Sequence, residues 1–224
     1  MSTQKRNWMI AMGVAVCLLV GATSFAAVVN PGDIIQFSSA PGRNTSFSGG
    51  AFEITDSTSH SSWYTFCLEY NEHISFGTNY VVDTVGPAAV KGGVSGGNPD
   101  PISSQTAYLY YNYTTGGISG LSGAGTGNQQ KALQYVIWKL EGEISSLPTL
   151  AQESQSVLDF ITAYMGIANS ATPNQYYGVR VVNPVIGTTA AQSQLVYVPE
   201  AGALLLFGTG LVGLVGYRRV RRMQ

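Results

Sequence analysis

The sequence predicts an α+β protein: a β-rich, sandwich-like domain with a small helical part, followed by one C-terminal transmembrane helix. Three observations carry this. Short aromatic and aliphatic runs of period two are separated by Gly, Ser and Asn clusters. Two later stretches repeat apolar residues at helical spacing. Finally, the run from Ala201 to Tyr217 is uncharged and closes on arginines.

Taken in order, Ile34 to Phe37 reads as extended, then a Gly/Ser/Asn-rich turn leads to a second extended segment, Gly50 to Thr55. The clearest strand is Ser62 to Phe76, SWYTFCLEYNEHISF. Period two puts Trp63, Thr65, Cys67 and Glu69 on one face, and Tyr64, Phe66, Leu68 and Tyr70 on the other. Asn79 to Val85 is a further strand. Two Gly-rich loops, Lys91 to Pro101 and Thr115 to Asn128, flank SQTAYLYYNY, which reads as a short helix. From Gln129 to Gly142, Ala132, Leu133, Val136, Ile137 and Leu140 recur at helical spacing, with Gly142 suited to the C-terminal end. A second helix is expected from Thr149 to Ile167, and closing strands at Tyr176 to Val182 and Gln194 to Val198.

The two ends are of another kind. Lys5 and Arg6 precede an apolar stretch, MIAMGVAVCLLV, and Ser24 and Ala26 supply small residues before a cut after Ala26. That is the pattern of a secretory signal peptide over residues 1–26, discarded with Cys17 by signal peptidase after Sec translocation. At the C-terminus the seventeen residues from Ala201 to Tyr217 reach roughly 26 Å as a helix, just short of a bilayer core of about 30 Å. Arg218, Arg219, Arg221 and Arg222 would hold the end in the cytoplasm and leave the rest outside. With Val198, Pro199 and Glu200 in front, this order resembles the PEP-CTERM sorting signal: a Val-Pro-Glu-Pro motif, a Gly/Leu-rich helix and an arginine cluster. The resemblance implies processing by an exosortase-type enzyme in a Gram-negative-type bacterium. The membrane anchorage would be transient, before release to the cell surface or an extracellular matrix. Ala201 stands where the family has its second proline. The tail is taken as residues 199–224.

Between the ends lies one domain, residues 27–198, of suitable size for a single core. It carries five bases against eleven acids, a net charge of −6. That excludes nucleic acid held by charge attraction. Cys67 is its only cysteine, so no internal disulfide can form. An exported lone cysteine either pairs with another molecule, stays a buried thiol, or is chemically engaged.

Two segments stand out together: Thr65-Phe66-Cys67-Leu68-Glu69 on a strand, and Leu133-Gln134-Tyr135-Val136-Ile137-Trp138 on a helix, where Gln134 and Trp138 share a face. The pair resembles the thioester domains of bacterial surface adhesins, in which an early cysteine joins the glutamine of a Thr-Gln-x-Ala-Ile-Trp motif. Gln134, Ile137 and Trp138 match that motif, while Leu133 and Val136 depart from it. The resemblance implies an internal Cys67–Gln134 thioester, formed with loss of ammonia and shielded from water by Trp63, Tyr135 and Trp138. An amine on an extracellular protein or glycan would then attack the Gln134 acyl carbon. One turnover consumes such a site, so it is not an enzyme, and no cofactor is called for.

Two alternatives remain. A non-covalent matrix or biofilm component would carry the same tail, with Cys67 a small buried hydrophobe and Gln134 a surface residue beside a core tryptophan. A cysteine hydrolase would need His60 or His73, and neither carries a motif. Asp56, Glu69, Glu72, Glu141 and Glu143 form no calcium-loop spacing and are expected to be solvated.

Overall fold

The computed structural model describes residues 29–199. The signal peptide, Glu200, the predicted transmembrane helix and the arginine cluster lie outside these residues. Among the described residues no helix is long and apolar enough to cross a membrane.

The chain runs β1 (Ile34–Ser39), β2 (Phe52–Asp56), β3 (Ser62–Thr65), β4 (Asn79–Gly86), β5 (Ala88–Ala89), β6 (Asp100–Pro101), α1 (Ser104–Thr115), α2 (Gly127–Leu140), α3 (Gln155–Ala168), β7 (Val179–Ile186), β8 (Thr189–Ala190) and β9 (Gln194–Tyr197). The principal sheet is antiparallel, in the order β3-β2-β1-β4-β7, with β8 and β9 both pairing to β7. The residues that follow β3 then pair with β9. Leu195 N–H donates to Phe66 O at 3.3 Å, and Leu68 N–H donates to Ser193 O at 3.2 Å. Hydrogen bonding therefore runs nearly all the way round. The predicted sandwich is corrected to one nearly closed principal sheet, which disposes of most exposed strand edge, with β5 and β6 pairing apart as a two-stranded ribbon.

Closure also explains why the strand expected at Ser62 to Phe76 stops at Thr65. Through Thr65 the chain pairs with β2, in the register Phe52↔Thr65. Two residues later Cys67 bridges Gln194 on β9. Strict alternation fails across this change of partner, and Thr65, Phe66, Cys67, Leu68 and Glu69 are all buried in succession. Thr65 Oγ1 (2.7 Å) and Tyr110 Oη (3.1 Å) both donate to Leu195 O, sewing β9 and α1 to the join.

The helices pack on one side of the sheet and enclose the larger of two apolar clusters; the smaller contains Cys67 and Trp138. Helix α1 is capped by Ser103, whose Oγ accepts from Thr106 N–H. Helix α2 begins two residues before the predicted start. Thr126 and Gln129 form a capping box there, each side chain accepting from the other's backbone N–H. Helix α3 starts at Gln155, not Thr149. Gln152 Oε1 accepts from Thr149 N–H at 3.0 Å and Gln152 N–H donates to Thr149 O at 2.9 Å, closing a turn that competes with helix. Likewise β7 begins three residues later than predicted, after Tyr177 and Gly178 at positive φ, and runs on to Ile186.

Candidate functional site

The closing join creates the site. Cys67 faces Gln194 as a pair whose flanking residues, Phe66 and Leu68, make the hydrogen bonds to β9. In an antiparallel ladder this turns the N–H and C=O of Cys67 away from β9. They must find partners elsewhere, since buried backbone groups left unpaired are costly. The side chain of Gln134 supplies both. Cys67 N–H donates to Gln134 Oε1 at 3.3 Å, and Gln134 Nε2 donates to Cys67 O at 2.8 Å. The carboxamide thus stands in for one residue of a neighbouring strand. In the same arrangement the Cys67 thiol donates to Oε1 over 3.2 Å, which sets the sulfur against the oxygen bonded to the carboxamide carbon. Both side chains are buried, Cys67 at 1% and Gln134 at 0% exposure.

Helix α2 brings Gln134 here through its i, i+4, i+8 stripe of Gln130, Gln134 and Trp138, all buried. The stripe is covered by the segment from Pro41 to Gly50. Gln130 Nε2 donates to Pro41 O at 2.7 Å. Arg43 gathers the other end, donating to the carbonyls of Phe47, Ser48 and Gly49 at 2.9, 3.1 and 2.9 Å. Its guanidinium lies 4.8 Å from the centre of the Phe52 ring. Gly49 presses directly on the pair: a Cβ there would lie 2.5 Å from Gln134 Cγ and 2.6 Å from Trp138 Cη2.

Of the predicted shielding residues, Trp138 meets Phe47, Tyr70 and Tyr135 with ring centres 5.7, 4.9 and 6.3 Å away. Tyr135 is half-buried, donates to Glu153 Oε1 at 2.9 Å, and has its phenol pKa pushed up by burial and by that carboxylate. Trp63 packs against the cluster that holds Cys67 and also lines a separate cleft with Tyr64 and Glu53. Sequence reasoning assigns no site role to Phe47, Gly49 or Arg43, and Tyr70, which period two places on the face opposite Cys67, lies instead against Trp138. Arg43, one of only five bases in the domain, standing in a polar turn before a Gly-Gly pair, was the available signal. Val198 N–H donates to Gly178 O, and Pro199 borders a third cleft with Tyr197.

Electrostatics keep the thiol protonated. Burial pushes the Cys67 pKa up, the charge of Glu69 pushes it further, and Arg43 opposes both. The expectation of solvated carboxylates is corrected: Asp56, Glu69 and Glu143 are buried. Each accepts backbone N–H groups that would otherwise be orphaned. Asp56 takes Thr58 N–H, Glu69 takes Ser193 N–H at 2.9 Å, and Glu143 takes those of Tyr70, Val94 and Ser95. Glu141 is half-buried and accepts from both N–H and Oγ of Ser103. Glu69 has its pKa raised to about 8, mainly by burial. His60 and His73 are both exposed, whereas Cys67 is not.

Fold and site together define a β-rich domain whose nearly closed sheet, at its join, presents a buried cysteine to a helical carboxamide. No known protein family matches the chain, and no curated protein matches it. Among solved structures, the N-terminal domain of the Streptococcus pyogenes pilus tip adhesin Cpa is similar, at 12% identity and a TM-score of 0.46, over 78% of this chain and 97% of that one. That degree of likeness carries no argument about function.

Proposed function

We propose that the protein is an exported, adhesin-like surface protein in which Cys67 and Gln134 condense to an internal thioester that then captures an amine. The observation that carries the reading is the 3.2 Å contact between Cys67 Sγ and Gln134 Oε1 in a buried site. In the condensation the S–H and C–N bonds break, an S–C bond forms, and the thiol proton leaves with the carboxamide nitrogen as ammonia. The Cys67 N–H lies on Oε1, where negative charge develops as sulfur adds, and so serves as an oxyanion donor. Burial disfavours the thiolate but excludes the water that would hydrolyse the product. Capture is the converse: a neutral amine attacks the Gln134 acyl carbon, the C–S bond breaks, and Cys67 leaves to recover a proton. Turnover is single. Export and exosortase-type sorting, with transient anchorage by the C-terminal helix, follow from the two ends of the sequence and belong to the same proposal.

A second reading is favoured by one observation. The carboxamide satisfies both backbone groups of Cys67, which by itself accounts for a buried glutamine. On this reading the protein is a non-covalent matrix component. A cysteine hydrolase is disfavoured by the exposure of both histidines.

Intact mass of the domain spanning residues 27–198 separates the two. A mass one ammonia short of the sequence, increased by methylamine and absent in Cys67→Ala, is expected of the thioester. A full sequence mass with an alkylatable thiol refutes it.

A further inference from the structure

We infer that the cleft beside Trp138 is where the acceptor amine approaches, and that it selects a cationic primary amine on a slender stem, as on a lysine side chain, through Glu72. This rests on the thioester reading above. The cleft encloses about 210 Å³, and Arg43, Tyr70, Glu72, His73, Trp138 and Gln192 form its walls. Ordinary small-molecule pockets hold about 300–1,000 Å³, so this one suits a single extended side chain better than a sugar ring with its substituents.

Its position ties it to the reactive pair. Trp138 lies one turn from Gln134 on the same stripe of α2. Gly49, in contact with both, is the acceptor for Arg43 Nε at 2.9 Å and follows Ser48, itself in the cleft wall. The positive charge of Arg43, in the cleft wall, also opposes the rise in the Cys67 pKa. Trp138 and the Ser48–Gly49 step therefore link the cleft wall to the carboxamide.

The chemistry of the walls then assigns the occupant. An aromatic lining with one carboxylate suits an alkylammonium, whose stem lies on the rings and whose charge pairs with the acid. Glu72 is that acid: half-buried, with its pKa raised by burial and by Glu143 against the opposing charge of Lys91. A carboxylate so raised is a better proton acceptor. Other charges nearby are Glu69, which feels Glu72, and Arg43. An ammonium cannot attack until it loses a proton. Glu72 takes that proton, giving a neutral amine and a carboxylic acid. The positive charge of Arg43 further in disfavours the protonated form. The neutral amine then attacks the Gln134 acyl carbon and the C–S bond breaks. The attacking nitrogen gives up its second proton to the Cys67 sulfur, which ends as a thiol, and Glu72 releases the first proton to solvent.

The test follows adduct formation by mass on the exported protein, for wild type, Glu72→Gln and Glu72→Asp. Two nucleophiles are compared at pH 7: Nα-acetyl-lysine methylamide, which is cationic, and hydroxylamine, which is largely neutral. Glu72→Gln should keep the ammonia-short mass, react with the lysine probe about tenfold more slowly, and react with hydroxylamine at the wild-type rate. Glu72→Asp should recover part of the loss. Equal rates for the lysine probe in Glu72→Gln and wild type overturn the inference and leave the thioester standing. So does an equal loss for both nucleophiles. A wild-type protein of full sequence mass overturns the thioester reading and this inference with it.

Discussion

Glu69 shows what burial does to a single residue. It is 2% exposed and its Oε1 has no protein partner, while Oε2 accepts from Ser193 N–H. Its pKa stands at about 8 against an ordinary 4.5. Below pH 4.5 both folded and unfolded chains hold this proton, so its contribution is fully present. Between 4.5 and about 8 the folded chain holds it and the unfolded chain releases it, so stability falls as pH rises through that window. Glu69→Gln keeps the acceptor and removes the titration. Urea midpoints at pH 5 and pH 9 are expected to fall further for the wild type than for the variant; parallel losses would count against Glu69 as the source. Glu72 and Glu141 are present in both proteins and shift in the same direction, so the difference between the two reports the titration of Glu69 together with its coupling to Glu72. None of this was legible in the sequence. The backbone N–H groups that hold Glu69 and Glu143 come from residues 124 and 73 positions away or similarly distant loops, and no local pattern reports them.

At the scale of elements, helices were the easier reading. In α2 every side chain beyond the first turn except Lys131, Tyr135, Lys139 and Leu140 is buried, so its apolar spacing could be read directly from the sequence. The pairing of Gln134 with Trp138 was legible for the same reason. Strands fared worse where the chain changes partners, because period two holds only while one neighbour is kept. The covering segment from Pro41 to Gly50 offered composition and nothing more. Two alanine substitutions separate its role from generic helix or loop effects. At Gly49 the added carbon meets Gln134 and Trp138, so Gly49→Ala is expected to cost about 1–3 kcal/mol in urea denaturation and to abolish the ammonia-short mass. At Gly166, within α3, nothing lies within 4 Å, so Gly166→Ala should gain about 0.5–1 kcal/mol and leave the mass unaltered. A Gly49→Ala protein with wild-type stability and chemistry would show that the segment does not seal the pair.

Over the whole molecule, the order of strands, and hence the nearly closed sheet, could not be read from the sequence. Closure depends on pairing β9 with residues more than a hundred positions earlier, a long-range contact invisible to windows of a dozen residues. Yet closure is what isolates Cys67, since it turns that residue's backbone away from β9 and toward α2. The sequence named the two side chains; only the topology supplies the reason they meet.

The placement of Gln134 near the middle of the fourteen-residue α2 has a mechanical side. On the proposed thioester reading, once an amine is captured the tether to the target is carried by the helix, and Cys67 no longer binds the helix to the sheet. Tension between target and cell would then pull α2 at one end and β9, next to the C-terminus, at the other, and the packing contacts of α2 would break in succession before the antiparallel pairing of β9 with β7 gives way. Single-molecule stretching from an adduct at Gln134 to the C-terminus should give a small early step as α2 lifts, followed by rupture of the sheet. One simultaneous rupture would mean that the helix and the sheet bear the load together.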